Sequence, residues 1–185
     1  MTSRQQQKEK RRVEILEAAL DLFISKGFSE TTIKDIAQKV DMSIGLMFHY
    51  FESKAALRDE LIKIGVETPA ALSKLDGTDS LKFFETIATH YFTMMQQDAF
   101  TAKMVAFTAQ ATSAKTIEPA ILKKSISIIT DGQLRGQIRP GNAEAMAILF
   151  WQSLSSVATY IAFNPKAPIP EPEWIIDYLK KYRLP

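Results

Sequence analysis

Cysteine is absent from the 185 residues. Disulfides, thiolate nucleophiles and zinc–thiolate sites are therefore excluded, and the composition suits a reducing cytoplasm. Histidine occurs only at positions 49 and 90. With no carboxylate pair, Ser-His-Asp set or metal-ligand spacing beside them, no catalytic group, metal site or cofactor is expected, and an all-helical enzyme is the weaker reading. Glycine (7) and proline (8) are few, and they stand between long runs of helical period, so no β-alternation of useful length is left. Excess charge is also missing. The net charge is +2, too small to indicate a nucleic-acid partner, so any such argument must rest on a local patch. At 46% hydrophobic residues, the chain is globular rather than disordered.

One stretch, 145–163, lacks charge altogether and approaches the length of a membrane span. It carries Gln152, Ser153, Ser155, Ser156 and Thr159, and no basic cluster frames it. The better reading is a central helix buried against its own domain and a partner subunit. The polar, basic start MTSRQQQKEKRR has no apolar stretch behind it and does not read as a secretory signal.

The pattern predicts an all-α chain of about nine helices. Helix one covers about 4–26, with Leu16, Leu20 and Phe23 among its inward residues and Gly27 ending it. Thr32 caps a second helix to Val40, and Asp35 completes an aspartate form of the capping box. Asp41 and Met42 make a turn. Ser43 caps a short third helix over 44–50, and Ser53 caps a fourth from Lys54 to about Leu75. After the break at 76–79, helices are expected over about 80–97, 100–112, 118–135 and 143–163. A proline-rich connector then leads to a last helix over 173–182.

Two short helices joined by a tight turn behind a longer one form a helix-turn-helix arrangement, whose second short helix lies in the major groove. The residues make this more specific. ILEAALDLFISKGFSETTIKDIAQKV is followed by Ser43, Ile44 and Gly45, by FHYF at 48–51, and by Ser53, Lys54 and Leu57. Residues 15–61 thereby resemble the N-terminal domain of the TetR family of bacterial transcriptional regulators. The resemblance implies a DNA-binding domain over 1–52 and a ligand-binding and dimerisation domain over 53–185. It also implies a homodimer on a palindromic double-stranded DNA operator, a small-molecule effector and a cytoplasmic repressor. The positions it assigns to DNA are Thr32, Lys34, Ser43, Ile44, Gly45, Leu46, Phe48, His49, Tyr50 and Lys54.

Physical roles accompany these assignments. The hydroxyl and amide of Thr32 can hold a phosphate, Lys34 points outward, and Gly45 permits close approach. Lys54, in the first turn of helix four, is expected to meet a phosphate that offsets its unfavourable place in the helix dipole. Arg4, Lys8, Lys10, Arg11 and Arg12 form a basic arm. The sequence departs from the family at Ile44, Leu46 and Phe48, where polar residues or tyrosine are usual. The reading helix is correspondingly poor in hydrogen-bonding groups, which also admits a module that has lost operator specificity.

The stretch 80–163 is rich in Phe, Met, Ile and Ala. His90, Tyr91, Met94, Met104, Phe107, Gln110 and Trp151 are candidates for a mostly apolar effector pocket, although such a stripe also serves as plain core. The helices over 143–163 and 173–182 resemble the family's dimerisation pair.

Overall fold

The computed structural model describes residues 3–72, 75–111 and 119–181, the side chains of 66–72, 99 and 109–111 excepted. The described residues form α1 (Ser3–Ser25), α2 (Ile33–Lys39), α3 (Ile44–Tyr50), α4 (Lys54–Leu72), α5 (Ser80–Gln97), α6 (Ala99–Ala111), α7 (Pro119–Leu134), α8 (Ala143–Phe163) and α9 (Pro172–Ile176). A 3₁₀ turn, Asp177–Leu179, follows α9. The chain divides into two compact units, Met1–Ile64 and Gly65–Pro185. The division falls within α4, whereas the sequence places a boundary at 52/53.

The first unit is built on α1. Its buried residues Ile15, Leu16, Ala18, Ala19, Leu20, Phe23 and Ile24 cover two turns and a half. Ile36 and Ala37 of α2, Met47 of α3, and Phe51, Leu57 and Leu61 complete the interior. Gly27 ends α1 at φ +93°, a left-handed conformation that costs glycine little. Phe28 then folds back edge-on to Phe23, with ring centroids 5.2 Å apart.

The second unit packs α8 against α6 and α7, and α5 against α6, α7 and α9. Its core is aromatic. Phe83, Phe84, Phe150, Trp151 and Tyr91 make a run of edge-to-face contacts, with Phe84 and Phe150 centroids 4.8 Å apart and Phe150 and Trp151 5.4 Å apart. The Trp151 indole N–H donates to Ser125 Oγ at 3.1 Å, so its one polar atom is satisfied inside the core. A Cβ on Gly132 of α7 would stand 2.7 Å from Ser80 Oγ, so this glycine sets how closely α5 and α7 approach.

By length and composition α8 could cross a membrane. Met146, Ala147, Phe150, Trp151, Leu154, Ala158, Ile161 and Ala162 are nevertheless buried in the unit, as a core helix requires. The terminal helix is shorter than its periodicity suggests. The helix ends at Ile176, tightens to a 3₁₀ turn and bridges back, where Ile138 and Lys180 pair. Ile176 and Leu179 are buried, while Trp174 is exposed.

Candidate nucleic-acid interface

Short helices contribute little by propensity alone, so the geometry of α2 and α3 depends on their ends. At the start of α2 the capping box is complete. Thr32 Oγ1 accepts from the Asp35 amide at 3.1 Å, and Asp35 Oδ2 accepts from the Thr32 amide at 2.8 Å. The Thr32 hydroxyl also donates to Asp35 Oδ2 at 2.8 Å. Lys26 reaches the same carboxylate at 2.9 Å. Its hydrogen bond, followed by those from Thr32, holds the Asp35 carboxyl at about 2. The capping role expected of Thr32 is present, and both of its donors bond to Asp35.

At the other end of α2 the Asp41 amide bonds to Gln38 O at 3.3 Å and the Met42 amide to Ala37 O at 2.8 Å. This is the paired reverse bonding of a Schellman turn. Its left-handed position is held by Asp41, at φ 51°. The chain therefore reverses within two residues before Ser43 caps α3, accepting from the Leu46 amide at 3.2 Å.

Helix α3 buries Met47 alone. Tyr50 is half-buried, and Ser43, Gly45 and His49 are exposed. Ile44 and Leu46 are each 44% exposed and Phe48 51%. Among the described residues no heavy atom lies within 4 Å of where a Gly45 Cβ would stand. Lys34 of α2 is exposed as well.

The basic residues divide into two groups. Arg11 donates to Glu14 at 2.6 Å and to Val40 O at 3.0 Å. Arg12 pairs with Glu60, donates to Tyr50 O at 3.1 Å, and lies 4.3 Å over the Phe51 ring. These two belong to the framework rather than to an arm. Arg4, Lys8 and Lys10 are exposed on the first turns of α1. An open groove lined by Arg4, Gln5, Gln7, Lys8, Arg11 and Tyr50 runs beside the end of α3.

Lys54 opens α4 and is half-buried. Its ammonium donates to Phe28 O at 2.6 Å, Thr31 O at 2.8 Å and Ser29 O at 3.3 Å, and stands 4.4 Å from the Phe28 ring centroid. Carbonyls of the α1–α2 corner thus offset its place at a helix start. Thr31, which the sequence reading passed over, is fully buried and anchors the same corner by donating to Gly27 O at 2.8 Å. Its only advance signal was its position between a helix-ending glycine and a cap.

Of the residues expected to touch an effector, Tyr91, Met104, Phe107 and Trp151 are buried and Met94 is half-buried. His90 is exposed, which corrects its expected place beside an apolar pocket. The inward face of α5 is Phe83, Phe84, Ile87, Ala88, Tyr91, Phe92 and Met95. The side chain of Gln110 lies outside the described residues. Burial raises the Tyr91 phenol well above its ordinary value.

Residues 15–61 match the sequence model of the bacterial regulatory proteins of the tetR family. The first domain belongs to the TetR family. Over 53 residues, 29% of this chain and 26% of the relative, the sequence is 38% identical to the HTH-type transcriptional repressor KstR2 of Rhodococcus jostii. This chain thus spans about a quarter of that relative's length. KstR2 of Mycolicibacterium smegmatis is 25% identical over 142 residues, 70% of this chain and 68% of that protein. In fold alone, the likeness covers most of the chain. A TetR-family regulatory protein from Rhodococcus RHA1 superposes with a TM-score of 0.67 at 18% identity, covering 94% of this chain and 99% of that one.

Proposed function

We propose that this chain is a dimeric, DNA-binding transcriptional repressor. In this reading α3 enters the major groove of a palindromic operator, and a small, mostly apolar molecule bound by the second unit releases it. Such a regulator works on double-stranded DNA in the cytoplasm. The observation that carries the proposal is the outward face of α3, with Gly45 at its centre. A glycine inside a helix costs about 1 kcal/mol relative to alanine, and no described neighbour within the chain requires one at this position. Close approach from outside gives it a reason. Ser43, Ile44, Leu46, Phe48 and His49 surround it. Tyr50, Lys34, Arg4 and Lys8 lie where phosphates would pass, whereas Thr32 and Lys54 act by fixing the frame.

Dimerisation is supported by a stripe on α8. Leu149, Gln152, Ser156, Tyr160 and Phe163 recur at spacings of three and four and are all exposed. Two such stripes across a two-fold axis would place two reading helices on successive grooves. The effector would be lined by groups such as Tyr91, Met94, Met104, Phe107 and Trp151. A coupling of about 1–3 kcal/mol between effector and operator is enough for a switch.

The test is selection of bound duplexes from a random pool with the full chain, followed by affinity measurement on Gly45→Leu and Gly45→Ala. A palindromic consensus is expected. Gly45→Ala should raise stability by about 0.5–1 kcal/mol, and Gly45→Leu should fold yet bind the consensus at least tenfold more weakly. Equal affinity for every duplex at matched salt would overturn the reading.

A further inference from the structure

The face that α3 presents is unusual for a reader of base edges. At about 100° per residue, Gly45 and His49 point most directly away from buried Met47. Ile44 and Leu46 flank Gly45, and Phe48 stands one turn beyond Ile44. Three of these five are large and apolar, 44%, 44% and 51% exposed. The Ser43 hydroxyl is occupied as the acceptor of the Leu46 amide, and Tyr50 is half-buried. Among the exposed side chains of α3, His49 alone brings a polar ring.

Exposed apolar side chains are unfavourable in water unless a partner covers them. Exposed cations on the same unit, Lys34 on α2 and Arg4 and Lys8 in the groove beside Tyr50, complement a phosphate backbone rather than an apolar protein surface. In the major groove only one base edge offers an apolar group, the C5-methyl of thymine. Resting on the DNA-binding reading above, we propose that Ile44, Leu46 and Phe48 read thymine methyls, so that sequence choice is made mainly by apolar contact. Gly45 forms the notch between Ile44 and Leu46 through which the groove floor is approached.

The experiment replaces thymines of the selected half-site by deoxyuridine, one at a time, and measures affinity of the full chain at fixed salt. Uracil keeps the hydrogen-bonding edge and deletes only the methyl. About a fourfold loss is expected for each methyl contacted, the value of one buried carbon group. In Ile44→Ala and Leu46→Ala the loss at the matching thymine should shrink towards onefold, as a coupled pair requires. Both side chains are exposed, so these variants should fold. Sequence-selective binding that is indifferent to uracil, or a G·C consensus, overturns this inference and leaves the DNA-binding reading standing. Absence of sequence-selective binding overturns both.

Discussion

The two units hold their helices by different means. In the second, one continuous core of rings and branched side chains links α5 to α9, and polar groups are few and locally satisfied. In the first, the helices carrying the candidate interface are seven residues long. Caps and staples reaching backbone carbonyls hold them: Thr32 with Asp35, Arg12 on Tyr50, and Lys54 on three carbonyls. A domain that must leave one helix face uncovered has less apolar surface to bury, and the polar staples make up the difference. The lesson is that charge in the first unit cannot be equated with DNA contact. Arg11, Arg12 and Lys54 bond within the fold, whereas Lys34, Arg4 and Lys8 are exposed.

Substitutions can break this contrast. The largest effect is expected in the second unit. Phe150→Ala empties the centre of the ring run and should cost about 3–5 kcal/mol in denaturant unfolding. In the first unit, Lys54→Met removes a charged donor from three carbonyls and should cost about 2 kcal/mol. Hydrogen exchange should register that loss at the amides of α1 to α3 and not at α8; an equal loss of protection in α8 would show that the contrast is wrong. The smallest effect should come from acid. Asp35 titrates at about 2 in the fold and at 3.8 ordinarily. A depressed carboxylate contributes stability above its unfolded value and loses it as pH falls through the folded one. The first unit should therefore weaken between about pH 4 and pH 2. Asp35→Asn should flatten that part of the acid unfolding curve, and a variant with an unchanged curve would remove Asp35 from the account.

Much of this architecture was legible in the chain because it is written in local signals. Thr32 with Asp35, Ser43 and Ser53 announce helix starts through their own side chains, and each bonds as its type suggests. Helix α8 covers Ala143–Phe163, the span expected of it, and ends where its uncharged stretch ends. Other contacts depend on partners that sequence does not name. Lys54 bonds to main-chain oxygens 23 to 26 positions earlier, and carbonyls are the same in every residue. The last helix shows periodicity in Trp174, Ile175, Tyr178 and Leu179, but the return of the chain to pair with Ile138 ends it early. His90 stands three residues after Ile87 and seven after Phe83, at the edge of their face, so its exposure follows only once Phe84, Ala88, Phe92 and Met95 are seen to turn the buried face the other way. The exposure of Ile44, Leu46 and Phe48 was less accessible, because apolar residues on a short helix suggest burial until Met47 is seen to fill that role.

The Lys54 contact gives the first unit a latch in which one side chain gathers three carbonyls of a single corner. Because a single ammonium gathers Phe28, Ser29 and Thr31, displacing that one side chain disturbs all three contacts. The entry to α2 and the first turn of α4 are consequently tethered, and any force that shifts one drags the other along.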